Sequence, residues 1–456
     1  MKKFQLLLVD IQNDFHDDGS LPVEGAKENA KTVIETIIKP YMQQIDGITV
    51  SLDTHEIVDF AHKWFWIADD TMNDKYTSNF PNNPPQPKHP PNFSQIHFFN
   101  TDAHIEIDNN SIKTGEKVFF GTCTGYDLKE QLSKEGYKVP SSSLTTEIDQ
   151  DELKRYNGIK DEEEYHFYWK PADAGLRKYC EKYFIELQKN TNEISSDSRS
   201  KSHERISTNI SSKVSEKLSH IIWPDHCLQG SHGQCVYKEY HDTLIKWSEM
   251  NQKDVYYVLK GSNPLCEMYS AIRAEVPVDG DVTTFPNISL LKYFFNTTNR
   301  PDMLGLVVAG QAITHTVRYT VHDILKYWLA AEEEADREKK KFNAQLQSWK
   351  WSDDFVNSTN GGAGLGDSGA TSERRGSNIY KDTAENAIEL LDPLDEKFIF
   401  NGHLYLLQDA CGYVQPRSRK KAAAIRKDTD EWINKIKKID GVEVIECKEL
   451  ASLLNQ

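Results

Sequence analysis

The sequence predicts a three-layer α/β/α fold around a mostly parallel six-stranded sheet. Three features predict it: six short apolar runs, helical stretches between them, and charged residues at the ends of several runs. The runs cover 4–10, 48–53, 255–261, 303–310, 403–410 and 442–446, and the helix candidates include 235–251, 316–331 and 418–439. A short run that is apolar without alternation marks a strand covered on both faces. Strands that alternate with helices pair in parallel. The first and last runs lie at opposite ends of the 456-residue chain, so one sheet spans it. At ~150 residues per domain the length alone suggests about three domains. The strand pattern instead predicts a single domain, 1–456, with insertions at approximately 67–218, interrupted by core-associated segments, and at 340–398.

The elements follow in order. FQLLLVD delivers Asp10 to a strand end, where ligands meet an open α/β sheet, and GSLPVEGA turns the chain into an amphipathic stretch at 27–42. ITVSLD ends in Asp53 and runs on through THEIVDFAH. FPNNPPQPKHPPNF, 80–93, is too rich in Pro and Asn for helix or central strand and reads as an extended loop. The Ser- and charge-rich stretch 194–217 reads as a solvated linker or a helix pair. IIWPDHC is another short apolar run, and the Gly-rich sequence after it turns into the helix that begins near Cys235. VYYVLKG ends in Lys260; MLGLVVAGQAITHTV is strand, Gly turn and helix, with Thr316 near the helix N-terminus. The run EEEADREKKK is an exposed helix end carrying opposite charges. The stretch 352–378 has the composition of a flexible loop, and its GGAGLG follows no strand and so is no nucleotide-binding turn.

Composition narrows the partners. A net charge of −16 opposes nucleic acid and anionic membrane, since both need a positive field. A small molecule is the expected ligand, and the sequence leaves open whether the chain forms a homo-oligomer. Seven cysteines without regular spacing fit free thiols in a reducing compartment. Asp10 cuts the first apolar run below signal-peptide length, and no segment reaches the ~20 apolar residues of a membrane span. The expected location is cytoplasmic.

Asp53 and His55, two apart on an extended segment, point to one side and can grip one ion. His226 is the candidate third ligand, and one carboxylate with two imidazoles suits one divalent ion, Zn²⁺ or else Mn²⁺ or Fe²⁺. His62 is expected at the surface, in the core, or outside the ligand set. His226, Cys227, His232 and Cys235 have the wrong spacing for a zinc knuckle. Lys260 can stay charged as a partner of Asp10 or transfer a proton if burial lowers its pKa. Thr316 is either an ordinary helix cap or sits where backbone N–H groups stabilise an oxyanion.

The motifs LLLVDIQNDF with GSLPVEGA, SLDTHEIVDFAHKWFW, IIWPDHCLQGSHG, LKGSNPLCEMYSAIRAEVP and VVAGQAITHTVRYTVHDI occur in order along nearly the whole chain. In these the chain resembles the nicotinamidase/isochorismatase-like cysteine hydrolases, above all the larger nicotinamidase-like members. The resemblance implies Asp10 as general base, Lys260 as its charged partner, and Asp53, His55 and His226 as metal ligands. It further implies an ion that holds the ring nitrogen of nicotinamide, Phe15 and Trp66 as pocket aromatics, and a cis peptide at Val308–Ala309. One position departs from the pattern. Where the family has its nucleophilic cysteine, in G-x-A-x-x-H-C-V, this chain has Gly310, Ala312, His315, Thr316 and Val317. A Thr hydroxyl is far less acidic than a thiol and hindered at Cβ. Three functions follow: a metal-dependent hydrolase of nicotinamide or a related small amide, using Thr316 or metal-bound water; a hydrolase without a covalent step, like the phenazine-pathway isochorismatases; or a non-catalytic binding or regulatory relative. Cys227 and Cys266, inside the matching motifs, are the cysteines that could stand in for the nucleophile.

Overall fold

The computed structural model describes residues 2–76, 85–99, 118–137, 159–189, 192–194, 214–216, 219–329 and 402–456. In β1 (Lys3–Val9) successive side chains enter two different apolar layers. Leu7 and Val9 pack with Leu306 and Val308 on one side, and Leu6 and Leu8 with Val307 and Ala309 on the other. Both faces are dry, which is why the run lacks alternation.

The partners of β1 are β2 (Ile45–Asp53) and β11 (Met303–Gly310), followed outward by β10 (Tyr256–Lys260) on one side and β12 (His403–Cys411) and β13 (Val442–Ile445) on the other. The order is β10-β2-β1-β11-β12-β13, and every pairing is parallel. One face carries α1 (Ala26–Val33), α5 (Lys238–Asn251) and α9 (Cys447–Leu454); the other carries α6 (Ile288–Thr298), α7 (Thr316–Leu329) and α8 (Arg419–Ile436). This is the α/β/α arrangement expected, with the first strand in the middle of the sheet.

The 67–218 region is richer than a set of loops. It supplies most of an antiparallel five-stranded sheet in the order β3 (Trp66–Ala68), β6 (Glu164–Pro171), β5 (Val118–Thr124), β4 (Ser94–Phe99), β9 (His220–Ile222). Among the described residues its α-helices are α2 (Asp70–Tyr76), α3 (Gly125–Lys134) and α4 (Arg177–Lys189). Phe119, Phe167, Trp169, Tyr183 and Phe184 form an aromatic core there, and Phe60, Trp66, Cys266 and Met268 seat it against the strand ends of the main sheet. The Glu162 carboxylate also accepts from the Ser418 hydroxyl at 2.7 Å and the Arg419 N–H at 3.3 Å, sitting at the positive N-terminus of α8.

The stretch read as a linker or helix pair begins and ends differently: β7 (Asn192–Ile194) and β8 (Val214–Glu216) pair antiparallel. That backbone pairing joins segments far apart in sequence, and Ser-rich composition carries no sign of it. Residues 85–93 contain neither helix nor strand, as expected of the proline-rich loop. The rest of 194–217, the charged run after Ala331 and the loop 352–378 lie outside the described residues. All seven cysteines are described and none is paired. Among the described residues no helix is long and apolar enough to cross a membrane.

Candidate active site

Three parallel strands end side by side and bring Asp10, Asp53 and Lys260 together. Asp10 follows β1 in the left-handed region, φ 50°, where its N–H bonds Ser51 and its Oδ1 accepts the Ser51 hydroxyl at 2.6 Å. Gly310 closes β11 alongside: a Cβ there would lie 2.0 Å from the Val9 carbonyl oxygen, so only glycine lets the two ends approach. Lys260 Nζ stands 3.0 Å from Asp10 Oδ2 and 3.0 Å from Asp53 Oδ1, and donates to the Met268 carbonyl at 3.2 Å. Burial by itself would lower the lysine pKa, but the two carboxylates outweigh it and the ammonium is held charged. Burial raises the Asp10 pKa against the opposing pull of Lys260. For Asp53 the balance reverses: Lys260 and His55 overcome burial and hold it well below the usual carboxylate range.

Gln12, invisible as a site residue in the sequence, fixes the end of β2. Its amide donates to the Asp53 carbonyl at 2.7 Å and accepts the Asp53 N–H at 2.7 Å, while also donating to Gln234. Asp14 Oδ2 accepts the Cys227 N–H at 2.7 Å and so holds the turn that carries His226.

Around Asp53 stand three buried imidazoles. His55 Nε2 is 3.2 Å from Asp53 Oδ1, and His226 Nε2 is 3.3 Å from Asp53 Oδ2. His62 Nε2 lies 3.3 Å from His226 Nδ1. His55, His62 and His226 each offer a nitrogen within 4.8 Å of the others, so His62 stands with the cluster and not apart from it. In every ring Nδ1 meets an oxygen: Asp59 at 3.1 Å for His55, the Glu56 carbonyl at 3.3 Å for His62, the Pro224 carbonyl at 2.7 Å for His226. Such anchoring fixes a metal-ligating histidine and leaves the other nitrogen for the ion. His55 Nε2, fully buried, has no hydrogen bond of its own. One carboxylate and three imidazoles therefore fit a divalent cation, and Gly261 keeps the space open, since a Cβ there would come 2.8 Å from Asp53 Oδ1. Without an ion the cluster is an ion-pair network. Burial favours neutral His55, but Asp53 and Asp59 outweigh it and raise its pKa well above the ordinary value, while burial and the charge on His55 push that of His62 down.

Asp53 and His226 form part of one wall of a small pocket. The remaining lining comprises Phe15, Leu21, Val23, Trp223, Tyr269, Ala312 and Val414, with Glu267, Gln311, His315 and Thr316 as polar members. Thr316 begins α7, and its hydroxyl donates to the Gln311 carbonyl at 2.5 Å and accepts the Ala312 N–H at 3.1 Å. Asp10 is hydrogen-bonded to Ser51 and paired with Lys260, so both groups are engaged elsewhere and no bond joins them.

Several sequence expectations change. Phe15 lines the pocket as expected, but Trp66 does not; it is buried in the aromatic core of the second sheet, donating to the Phe60 carbonyl, and Trp223 with Tyr269 takes the aromatic place. Val308 and Ala309 spend their side chains in the two apolar layers, and the cis peptide is Gln311–Ala312 instead of Val308–Ala309. Cys227 and Cys266 are buried thiols, neither lines the pocket, and burial pushes their pKa values well above the ordinary value, which opposes the thiolate form. Cys235 is exposed and His232 faces Asn13, which leaves no knuckle. Glu267 went unnoticed in the sequence: burial lifts its pKa to about 7, its Oε1 accepts the Met268 N–H at 2.9 Å, and its Oε2 has no hydrogen-bond partner. A Glu in a loop after a strand gives no local sign of burial.

No family model and no curated protein sequence matches the chain. Among solved structures it is similar to a nicotinamidase/pyrazinamidase of Acinetobacter baumanii, at 12% identity over 99% of both chains and a TM-score of 0.37. It is also similar to the yeast nicotinamidase bound to the inhibitor nicotinaldehyde, at 10% identity over 97% of this chain and 99% of that one, TM-score 0.36. A third is the pyrazinamidase of Pyrococcus horikoshii in complex with zinc, at 11% identity over 97% and 99%, TM-score 0.29. Likeness at this level carries no activity across to the chain.

Proposed function

We propose that the protein is a metal-dependent hydrolase of nicotinamidase type, acting on nicotinamide or a related small amide. The observation that carries this reading is the buried Asp53, His55, His62 and His226 group, joined through Lys260 to Asp10 and opening on a pocket that Thr316 also lines. The order of the sequence motifs supports it independently. Asp53, His55, His62 and His226 would hold the ion, which supplies Lewis-acid charge for a ligand's ring nitrogen. Lys260 keeps Asp53 anionic and orients Asp10, the proton acceptor of this reading. Backbone N–H groups at the start of α7 face developing negative charge. Trp223, Tyr269 and Phe15 supply the apolar surface against which a planar ring packs.

A second reading, ligand binding without turnover, is favoured by one specific observation. The Thr316 hydroxyl already spends its proton on the Gln311 carbonyl and receives the Ala312 N–H. To attack, it must give up the bond it donates to Gln311 and turn its proton toward Asp10. The deciding experiment measures ammonia release from nicotinamide by the metal-loaded chain, beside calorimetric binding of nicotinamide. Turnover abolished by Thr316→Val supports a working hydroxyl. Binding without turnover supports the second reading, and neither binding nor turnover ends both.

A further inference from the structure

Gln311 is accounted for at every polar atom but one. Its backbone N–H donates to the Val9 carbonyl at 2.9 Å, and its carbonyl accepts the Thr316 hydroxyl. Its side-chain Oε1 accepts the Gly412 N–H at 2.9 Å. A backbone N–H can only donate, so this bond fixes which amide atom is oxygen and turns Nε2 the other way. Gly412 makes the fit possible, because a Cβ there would lie 2.5 Å from that oxygen. The residue is 1% exposed and lines the pocket, yet Nε2 has no hydrogen-bond partner among the described residues. Leu21, Val23 and Val414, which share the pocket, have no side-chain acceptor to offer it. A buried donor left unpaired is costly, and such groups in native proteins call for a partner.

We infer that Gln311 is a ligand-orienting residue: its Nε2 donates to a hydrogen-bond acceptor of the bound molecule and selects ligands that carry a carbonyl or carboxylate oxygen. The inference rests on the reading of the pocket as a site for a ring nitrogen held by a metal ion. Under it the ion and Gln311 grip two separate points of one small planar ligand. Two points of attachment set its orientation where an apolar slot alone would not.

The test uses the full chain loaded with Zn²⁺ and calorimetry with two probes, nicotinamide and 3-methylpyridine. Both have the ring nitrogen, and only the first has an acceptor. Wild type should bind nicotinamide at least about tenfold more tightly, the scale of one hydrogen bond to a buried donor. Gln311→Met and Gln311→Leu both remove the donor without adding a charge, and Met keeps the volume. In each variant the preference should fall to about onefold, with 3-methylpyridine affinity changed by less than about twofold; that retained affinity reports an intact pocket. If Gln311→Met fails to fold, Gln311→Leu decides. Equal binding of both probes by wild type, or an unchanged preference in the variants, overturns the assignment and leaves the metal pocket standing. Binding of neither probe by metal-loaded wild type overturns the pocket reading and the assignment together.

Discussion

The His-rich wall of the pocket and the Thr316 wall solve opposite problems. On the first, five ionisable side chains stand close together and stay buried because each charge meets another: Lys260 between Asp10 and Asp53, His55 between Asp53 and Asp59. On the second, the Thr316 hydroxyl is quieted by the backbone, by the Gln311 carbonyl and the Ala312 N–H. The first wall could hold an ion. The Thr316 hydroxyl holds shape, and it reacts only by giving up the bond it already donates.

The largest effect should come from removing the ion's ligands. Asp53→Ala with His55→Ala should take metal content from about one ion per chain to none by elemental analysis, because ligand loss removes the site and not merely its tuning. Full metal retention in that variant would dismiss the cluster as a metal site. His62→Ala leaves Asp53, His55 and His226 in place, so it should lower metal affinity without abolishing it, as titration with Zn²⁺ would measure.

Next is Lys260→Met, which strands two buried carboxylates. Denaturant unfolding should show a loss of about 3–5 kcal/mol, the usual result of breaking a buried ion pair from one side. A loss below ~1 kcal/mol would mean that water reaches the group.

Glu267→Gln sharpens the comparison through pH. The fold raises this carboxyl from an ordinary value of 4.5 to about 7, so it favours the protonated acid. Its stabilising share is whole below pH ~4.5, fades as pH rises toward about 7, and is gone above. Gln keeps the bond from Met268 and has no proton to lose. In metal-free protein its stability advantage over wild type should therefore grow between those values, to on the order of 3 kcal/mol, and then level off. A difference independent of pH would sink the assignment. Added metal should shrink it, since a nearby cation favours the Glu267 anion.

The smallest effect tests the quiet wall. Thr316→Cys should raise amide hydrolysis at least about tenfold, ~1.4 kcal/mol of barrier, and an added Asp10→Asn should cancel the gain. A thiol is a weaker hydrogen-bonding group than a hydroxyl and is freer to leave Gln311 and Ala312. Equal rates for wild type and the Cys variant would mean that the threonine is competent as it stands.

The two sheets show what could be read in advance. Strands of the parallel sheet were legible because burial on both faces writes an unbroken apolar run, and a charged residue ending such a run needs no tertiary information to be placed at the strand mouth. Asp10, Asp53 and Lys260 were located that way, and Asp53 with His55 by strand alternation. The antiparallel sheet was not legible: its aromatic core is completed by Cys266 and Met268, far away in sequence, and its ends pair across long gaps. The same limit governs the site. Nothing local distinguishes Trp66 from Trp223, or marks His62, Glu267 and Gln311 as pocket or cluster residues. Their roles depend on which loops meet above the strand ends, and that was decided by the packing of the second sheet on the first. Sequence determined the strand ends and their charges; tertiary structure decided which loop side chains close over them, because burial and hydrogen-bond partnership are properties of the meeting and not of the residue.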